Sequence, residues 1–317
     1  MRFIGNRYEL LNVDETLEFD RLYKARDVFN NKKVLIKVVE HNPNIGIDFV
    51  SDLIDEFTEI HSINCPYILK IIDVGVHCTE DSLLYYFVSE YSGGITLDKI
   101  IAGNYIHLEA IINMSTQILK GLEVSYTHNL YHGDLKPSNI LVDKWYNIKI
   151  CDFGVTKANK GVNIRTSKDL SYLCPHQLNI NYTDQESDFF ALGLILFESI
   201  FKKLPFKKTD KEEEMLKIID KGINWNDVVT ANGNQELIDI IKKLLRRKDK
   251  YISIQEIIID LSKVMYEKAD IEDLEEDKSK ITYIEQYESK KNKAASKKIF
   301  MATAIIVLIS LIVLSSF

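Results

Sequence analysis

Hydrophobic and polar positions follow two different periods along the chain, and the periods predict its elements. Tyr8–Leu11, Leu22–Ala25 and Val34–Val39 are short apolar-rich runs bounded by polar residues, and they read as strands, with Asn30–Asn31 turning the last hairpin. From Asp48 the spacing changes. Phe49, Leu53, Phe57 and Ile60 recur every three to four residues and predict a helix. Leu83–Val88 returns to a strand, and Ile111, Met114, Ile118 and Leu122 predict an amphipathic helix within 108–128. Two apolar runs, Ile140–Val142 and Ile148–Cys151, flank the turn Asp143–Asn147 and predict a small hairpin. The last segment, Ile299–Phe317, is apolar and uncharged. At ~1.5 Å per residue it reaches about 28 Å, close to the ~30 Å hydrocarbon core of a bilayer, and predicts a transmembrane helix.

Composition adds bounds. The 317 residues allow roughly two domains' worth of globule, and a hydrophobic content of 46% is ample for a core. A formal net charge of −7 argues against nucleic acid as the main partner. Cys65, Cys78, Cys151 and Cys174 show no CxxC or zinc spacing and read as reduced thiols of a cytosolic domain. The N-terminus lacks an apolar core of signal-peptide length.

The candidate chemistry lies in one stretch, HGDLKPSNILVDKWYNIKICDFG, from His132 to Gly154. Asp134 and Asn139 precede the predicted hairpin and Asp152 follows it, so all three land at one end of it. Converging oxygen ligands suit Mg²⁺ carrying a polyphosphate, and Asp134 is free to orient or accept the proton of an attacking hydroxyl. A lone DFG is common. HxDxKxxN followed at a fixed short distance by DFG is specific, and on these residues the chain resembles the eukaryotic-like (Hanks-type) serine/threonine protein kinases. Lys136, within KPSN, is the serine/threonine form of that loop.

The resemblance covers Tyr8 to about Tyr266 and implies an α+β, bilobal fold. A small β-rich lobe is expected over 8–91 and a large helical lobe over 92–266, followed by a charged juxtamembrane linker over 267–298 and the transmembrane helix over 299–317. It implies ATP and Mg²⁺ as cofactors. Lys37, in VLIKVV, is expected on the α- and β-phosphates with Glu56 as its ion-pair partner, since Glu56 lies ten residues before Pro66 as the family requires. Asp134 is the expected base, Lys136 the residue that steadies the transferring phosphoryl, and Asn139 and Asp152 the Mg²⁺ ligands. Leu22 and Leu35 fall on the roof of the nucleotide pocket and Leu141 on its floor. Ser89 falls at the gatekeeper position, and Glu90 and Tyr91, with Ser92, offer backbone groups to adenine. Ile60, Ile71, His132 and Phe153 fall where the family stacks side chains across the lobes. Asp188, opening a buried helix that runs through Phe197, is expected to hold the catalytic-loop backbone.

Several positions depart from the family pattern. The three glycines of the glycine-rich loop fall on Glu15, Leu17 and Asp20, which bring Cβ atoms and negative charge toward a polyanion. The activation segment, Asp152 to His176, has Asp169 in place of a Thr and Cys174-Pro175-His176 in place of APE. The Arg that pairs with the APE Glu falls on Tyr251, so a neutral His176–Tyr251 contact is expected there. Gly133 replaces the Arg that receives an activation-loop phosphate, which leaves Thr166 and Ser167 without the usual acceptor.

Glu267–Asp277 is acidic and Lys290–Lys298 is lysine-rich. Lysines beside a membrane span stay cytosolic, which places the lobes at the cytosolic face, and the cluster favours anionic lipid by ~1 kcal/mol per Lys. Three functions remain open: an active serine/threonine kinase acting on a protein substrate, a pseudokinase serving as a membrane-tethered scaffold, and a small-molecule phosphotransferase. The groups that touch metal and the reacting phosphoryl are all present, while the roof and the peptide platform have drifted. That split favours the first.

Overall fold

Five longer strands and one short one form an antiparallel sheet in the order β1-β2-β3-β4-β6-β5. They are β1 (Phe3–Ile4), β2 (Tyr8–Leu11), β3 (Leu22–Asp27), β4 (Lys32–Glu40), β5 (Ile71–Cys78) and β6 (Leu83–Glu90). This computed structural model describes residues 3–11, 22–103, 106–165, 170–225 and 234–265. Glu15, Leu17, Asp20, Thr166, Ser167 and Asp169 lie outside the described residues, as do the charged linker and the expected transmembrane helix. No helix among the described residues is long and apolar enough to cross a membrane. Met1–Ser262 form one compact unit and Lys263–Phe317 a second, of which only 263–265 are described.

Alternation along the strands divides the sheet into two faces. Tyr8, Ala25, Ile36, Val38 and Val88 pack into a core on one face. Val39, Tyr85 and Phe87 face the other way and pack on Phe49 and Leu53 of helix α1 (Phe49–Ser62). The predicted helical stripe is therefore real: Phe49, Leu53 and Ile60 are all fully buried. Each such aliphatic or aromatic burial contributes about 1.5–3 kcal/mol. Lys37 and Leu35 lie two and four residues before Val39, so they share its face of the sheet.

The larger, helical part begins with a short strand, β7 (Ile95–Thr96), and α2 (Leu97–Gly103), followed by α3 (Leu108–Tyr126). β7 pairs with the predicted hairpin, β8 (Ile140–Val142) and β9 (Ile148–Ile150), in a three-stranded sheet. Then come α4 (Val155–Ala158), α5 (Pro175–Ile180), α6 (Gln185–Phe201), α7 (Glu212–Lys221), α8 (Gln235–Leu244) and a last helix over 254–265. α6 is apolar on nearly every side and correspondingly buried along its length, the mark of a central helix. Asp184 caps it, its carboxylate accepting the Ser187 N–H at 3.1 Å.

Candidate active site

The loop from His132 to Asn139 is held from below by one carboxylate. Asp188 sits in the first turn of α6 and is completely buried. Its Oδ1 accepts the Gly133 N–H at 2.8 Å, and its Oδ2 accepts the His132 N–H at 2.9 Å and the Tyr126 hydroxyl at 3.0 Å. Burial pushes its pKa up while these donors pull it down. The His132 ring is fixed from both sides: Nε2–H donates to the Cys151 carbonyl at 2.8 Å, and Nδ1 accepts the Asp134 N–H at 3.2 Å. This sets the tautomer. The same ring meets Phe153 edge-on, with centroids 5.0 Å apart.

A single turn of 3-10 helix, Pro137–Asn139, then turns the chain into β8. It brings Asn139 back onto Asp134, Nδ2 donating to the Asp134 carbonyl at 2.8 Å and to its Oδ2 at 3.1 Å. Lys136 Nζ lies 2.9 Å from the same Oδ2. Asp152 follows β9 with φ of 64° and Gly154 with φ of 86°, so this turn is made of left-handed residues. Lys37 reaches the turn from β4: its Nζ donates to Asn139 Oδ1 at 2.8 Å and to Asp152 Oδ2 at 2.5 Å. The two oxygens already converge on one cationic centre, which is the arrangement a hard divalent cation requires of its donors.

Beside this polar centre lies an apolar cluster. Leu22 and Leu35 of the sheet pack with Leu69, Leu141 and Cys151 from beneath. Ser89 is buried and stands opposite Leu35 and Ile71 in the ladder. It shares the face of Phe87, whereas Val88 belongs to the opposite core. Glu90 and Tyr91 follow on the exposed edge, the Glu90 N–H donating to the Lys70 carbonyl at 3.3 Å.

α1 and α4 pack on each other. Lys157 on α4 stands 2.7 Å from Glu59 Oε2, as a hydrogen bond, and 3.0 Å from Glu56 Oε2, as an ion pair outside hydrogen-bond alignment. Burial raises the Glu56 pKa, while the Lys157 hydrogen bond lowers that of the more exposed Glu59. Val155, Ala158 and Ile164 enter the core under α1. Asn159 ties the same segment to the loop before α1, with Oδ1 accepting the Gly46 N–H at 2.9 Å and Nδ2 donating to the Asn44 carbonyl at 2.7 Å.

Residues 18–259 match the family described as the protein kinase domain. The chain belongs to the protein kinase family. Its relatives include a probable serine/threonine-protein kinase of Clostridium perfringens, 29% identical over 270 residues, which covers 83% of this chain and 39% of the relative. The serine/threonine-protein kinase PrkC of Bacillus subtilis is 31% identical over 208 residues, 64% of this chain and 32% of that protein. The chain thus spans about a third to two fifths of the length of these relatives. The solved structure of Rad53 1–466 in complex with AMP-PNP superposes with a TM-score of 0.60 at 22% identity, over 80% of this chain and 64% of that one, and shows the same fold.

Most of the kinase residues expected from sequence meet in one place: Lys37, Asp134, Lys136, Asn139 and Asp152 form the polar centre, Leu22, Leu35 and Leu141 pack together beside it, and Ser89 stands opposite Leu35 in the ladder. Two expectations fail. Glu56 does not pair with Lys37. The four-residue helix α4 delivers Lys157 to Glu56, and Lys37 turns to Asp152 instead. The neutral His176–Tyr251 contact is also not formed. The Tyr251 hydroxyl donates to Asp260 at 2.9 Å, and the neighbouring Lys250 stands 2.6 Å from Glu186 in the first turn of α6. One expectation gains a reason. Gly133 has φ of 73°, and an added Cβ there would lie 2.6 Å from Thr183 Cγ2 and 2.8 Å from Thr156 Cγ2, so no side chain fits where a phosphate-receiving Arg stands in relatives.

Sequence reading missed Asn163, whose Nδ2 donates to the Gly133 carbonyl at 2.6 Å and lies 3.4 Å from Asp134 Oδ1. It also missed Lys157 and Asn159. No local pattern marks any of the three.

Proposed function

We propose that this protein is a serine/threonine protein kinase working at the cytosolic face of a membrane. The observation that carries the reading is the convergence of Lys37, Asn139 and Asp152 on one point beside Asp134. Asn139 and Asp152 would hold Mg²⁺, which would supply positive charge against the phosphates of ATP. Lys37 would release Asp152 to take the α- and β-phosphates. Asp134 orients the acceptor hydroxyl and takes its proton as the new bond from oxygen to the γ-phosphorus forms and the bond to the β-phosphate oxygen breaks, leaving ADP. Lys136, already beside Asp134, offers a positive charge to the transferring phosphoryl. The adenine would pack against Leu22, Leu35 and Leu141. The apolar segment 299–317 and the lysines before it support the membrane location.

A scaffold without catalysis is the second reading, favoured by the missing glycines at Glu15, Leu17 and Asp20. Binding of Mg-ATP tests the shared premise. Mg²⁺ should raise the melting temperature of the wild type in the presence of ATP, and Asp152→Asn should remove that increment. An equal Mg²⁺-dependent increment in both proteins would refute the assignment of Asp152.

A further inference from the structure

The position where kinases keep a buried Glu–Arg pair holds His176 here, and beside it the structure opens a cavity of about 220 Å³. Its inner wall is apolar, built by Phe189, Phe190, Leu244 and the Tyr251 ring. Its mouth carries Arg246, Arg247 and Lys250, with Glu186 the one acidic group in the lining. Lys250 is engaged by Glu186 and Arg247 by Asp220, while Arg246 is exposed and has no ion-pair partner among the described residues. These cations belong to the run KKLLRRKDK, 242–250, a basic stretch in a chain whose net charge is −7.

We propose that this cavity binds a phosphomonoester carrying an apolar substituent, either a lipid headgroup or a soluble aryl or alkyl phosphate. The apolar walls take the substituent, as ligand pockets do with most of their lining. The guanidinium groups of Arg246 and Arg247 match the phosphate, whose oxygens accept forked N–H pairs. A carboxylate offers fewer oxygens and one charge; with Lys250 held by Glu186 and Arg247 by Asp220, Arg246 supplies the uncompensated charge, and the three oxygens of a phosphate can reach Arg247 as well. The site also has a route to the catalytic loop. His176 Nε2 lies 2.9 Å from Ser187 Oγ and 3.0 Å from Asp184 Oδ1, and the residue after Ser187 is Asp188, which holds the His132 and Gly133 N–H groups.

The test is calorimetric titration of the full chain with three probes: inorganic phosphate, phenyl phosphate and dihexanoyl phosphatidate. At least one organic phosphate should bind tenfold or more tightly than inorganic phosphate, and the tighter of the two identifies a soluble or a lipid source. Arg246→Ala with Arg247→Ala should weaken that binding at least tenfold while leaving the affinity for Mg-ATP unchanged. Arg246→Ala alone, at an exposed position, should weaken it at least threefold and serves if the double variant is unstable. Equal affinity for inorganic and organic phosphate, or binding unchanged in the variants, would overturn the proposal.

Discussion

Lys157→Ala is the perturbation that most sharply separates the two arrangements of Glu56. In a kinase, the strand Lys must pair with the helix Glu before the metal-bound phosphates are correctly placed. Here Lys157 holds Glu56 at 3.0 Å and Glu59 at 2.7 Å. Lys157 and Glu59 are both substantially exposed, so each pair stabilises by only about 0.5–1 kcal/mol. Removing both costs the present arrangement about 1–2 kcal/mol, a factor of roughly 5–30 in population. The apolar contacts of Val155, Ala158 and Ile164 under α1 remain, so the shift is graded rather than complete. The initial rate of autophosphorylation at saturating Mg-ATP should therefore rise about tenfold in Lys157→Ala, following the population of the paired form. Glu56→Gln should be slow with or without Lys157. An unchanged or lower rate in Lys157→Ala, with the melting temperature preserved, would show that the Lys157 pairs do not govern the position of Glu56.

Two further outcomes follow from other parts of the molecule. Arg7 grips buried Asp27 through two hydrogen bonds, at 3.0 and 2.7 Å, and lowers its pKa. Arg7→Met strands that carboxylate and should cost about 2–3 kcal/mol at neutral pH, the low side for a buried pair because Arg7 is partly exposed. Since the folded pKa of Asp27 lies below its unfolded value of about 3.9, the stabilisation is present above that pH and fades as the pH falls through the folded pKa. The difference in urea midpoint between wild type and variant should narrow accordingly, and a constant difference down to pH 3 would contradict the linkage. Deleting 299–317 should move the protein from the membrane fraction to the soluble one; retention through a high-salt wash would place the anchor elsewhere.

The strand and helix pattern was largely legible because burial imposes it: Phe49, Leu53 and Ile60 had to face the sheet, and β8 with β9 had to turn at Asp143–Asn147. The loop motif HxDxKxxN with DFG located the polar centre, since metal and phosphate chemistry restrict those residue types. The partner of Glu56 was not legible. α4 is too short to show a period, its start depends on the left-handed Gly154, and Lys157 lies far in sequence from Glu59. The partner of Tyr251 was equally hidden: the loop over 245–253 has no repeat, and nothing local shows that the Tyr251 hydroxyl reaches Asp260 nine residues on.

Phosphoryl transfer itself is measured by incubating the full chain with γ-labelled ATP and a generic protein acceptor, with and without Mg²⁺, beside Asp134→Asn. Mg²⁺-dependent label should appear on serine or threonine in the wild type and fall at least a hundredfold in Asp134→Asn, whose amide cannot take the proton of the acceptor. Label that is absent from the wild type, or equal in the two proteins, would contradict the account.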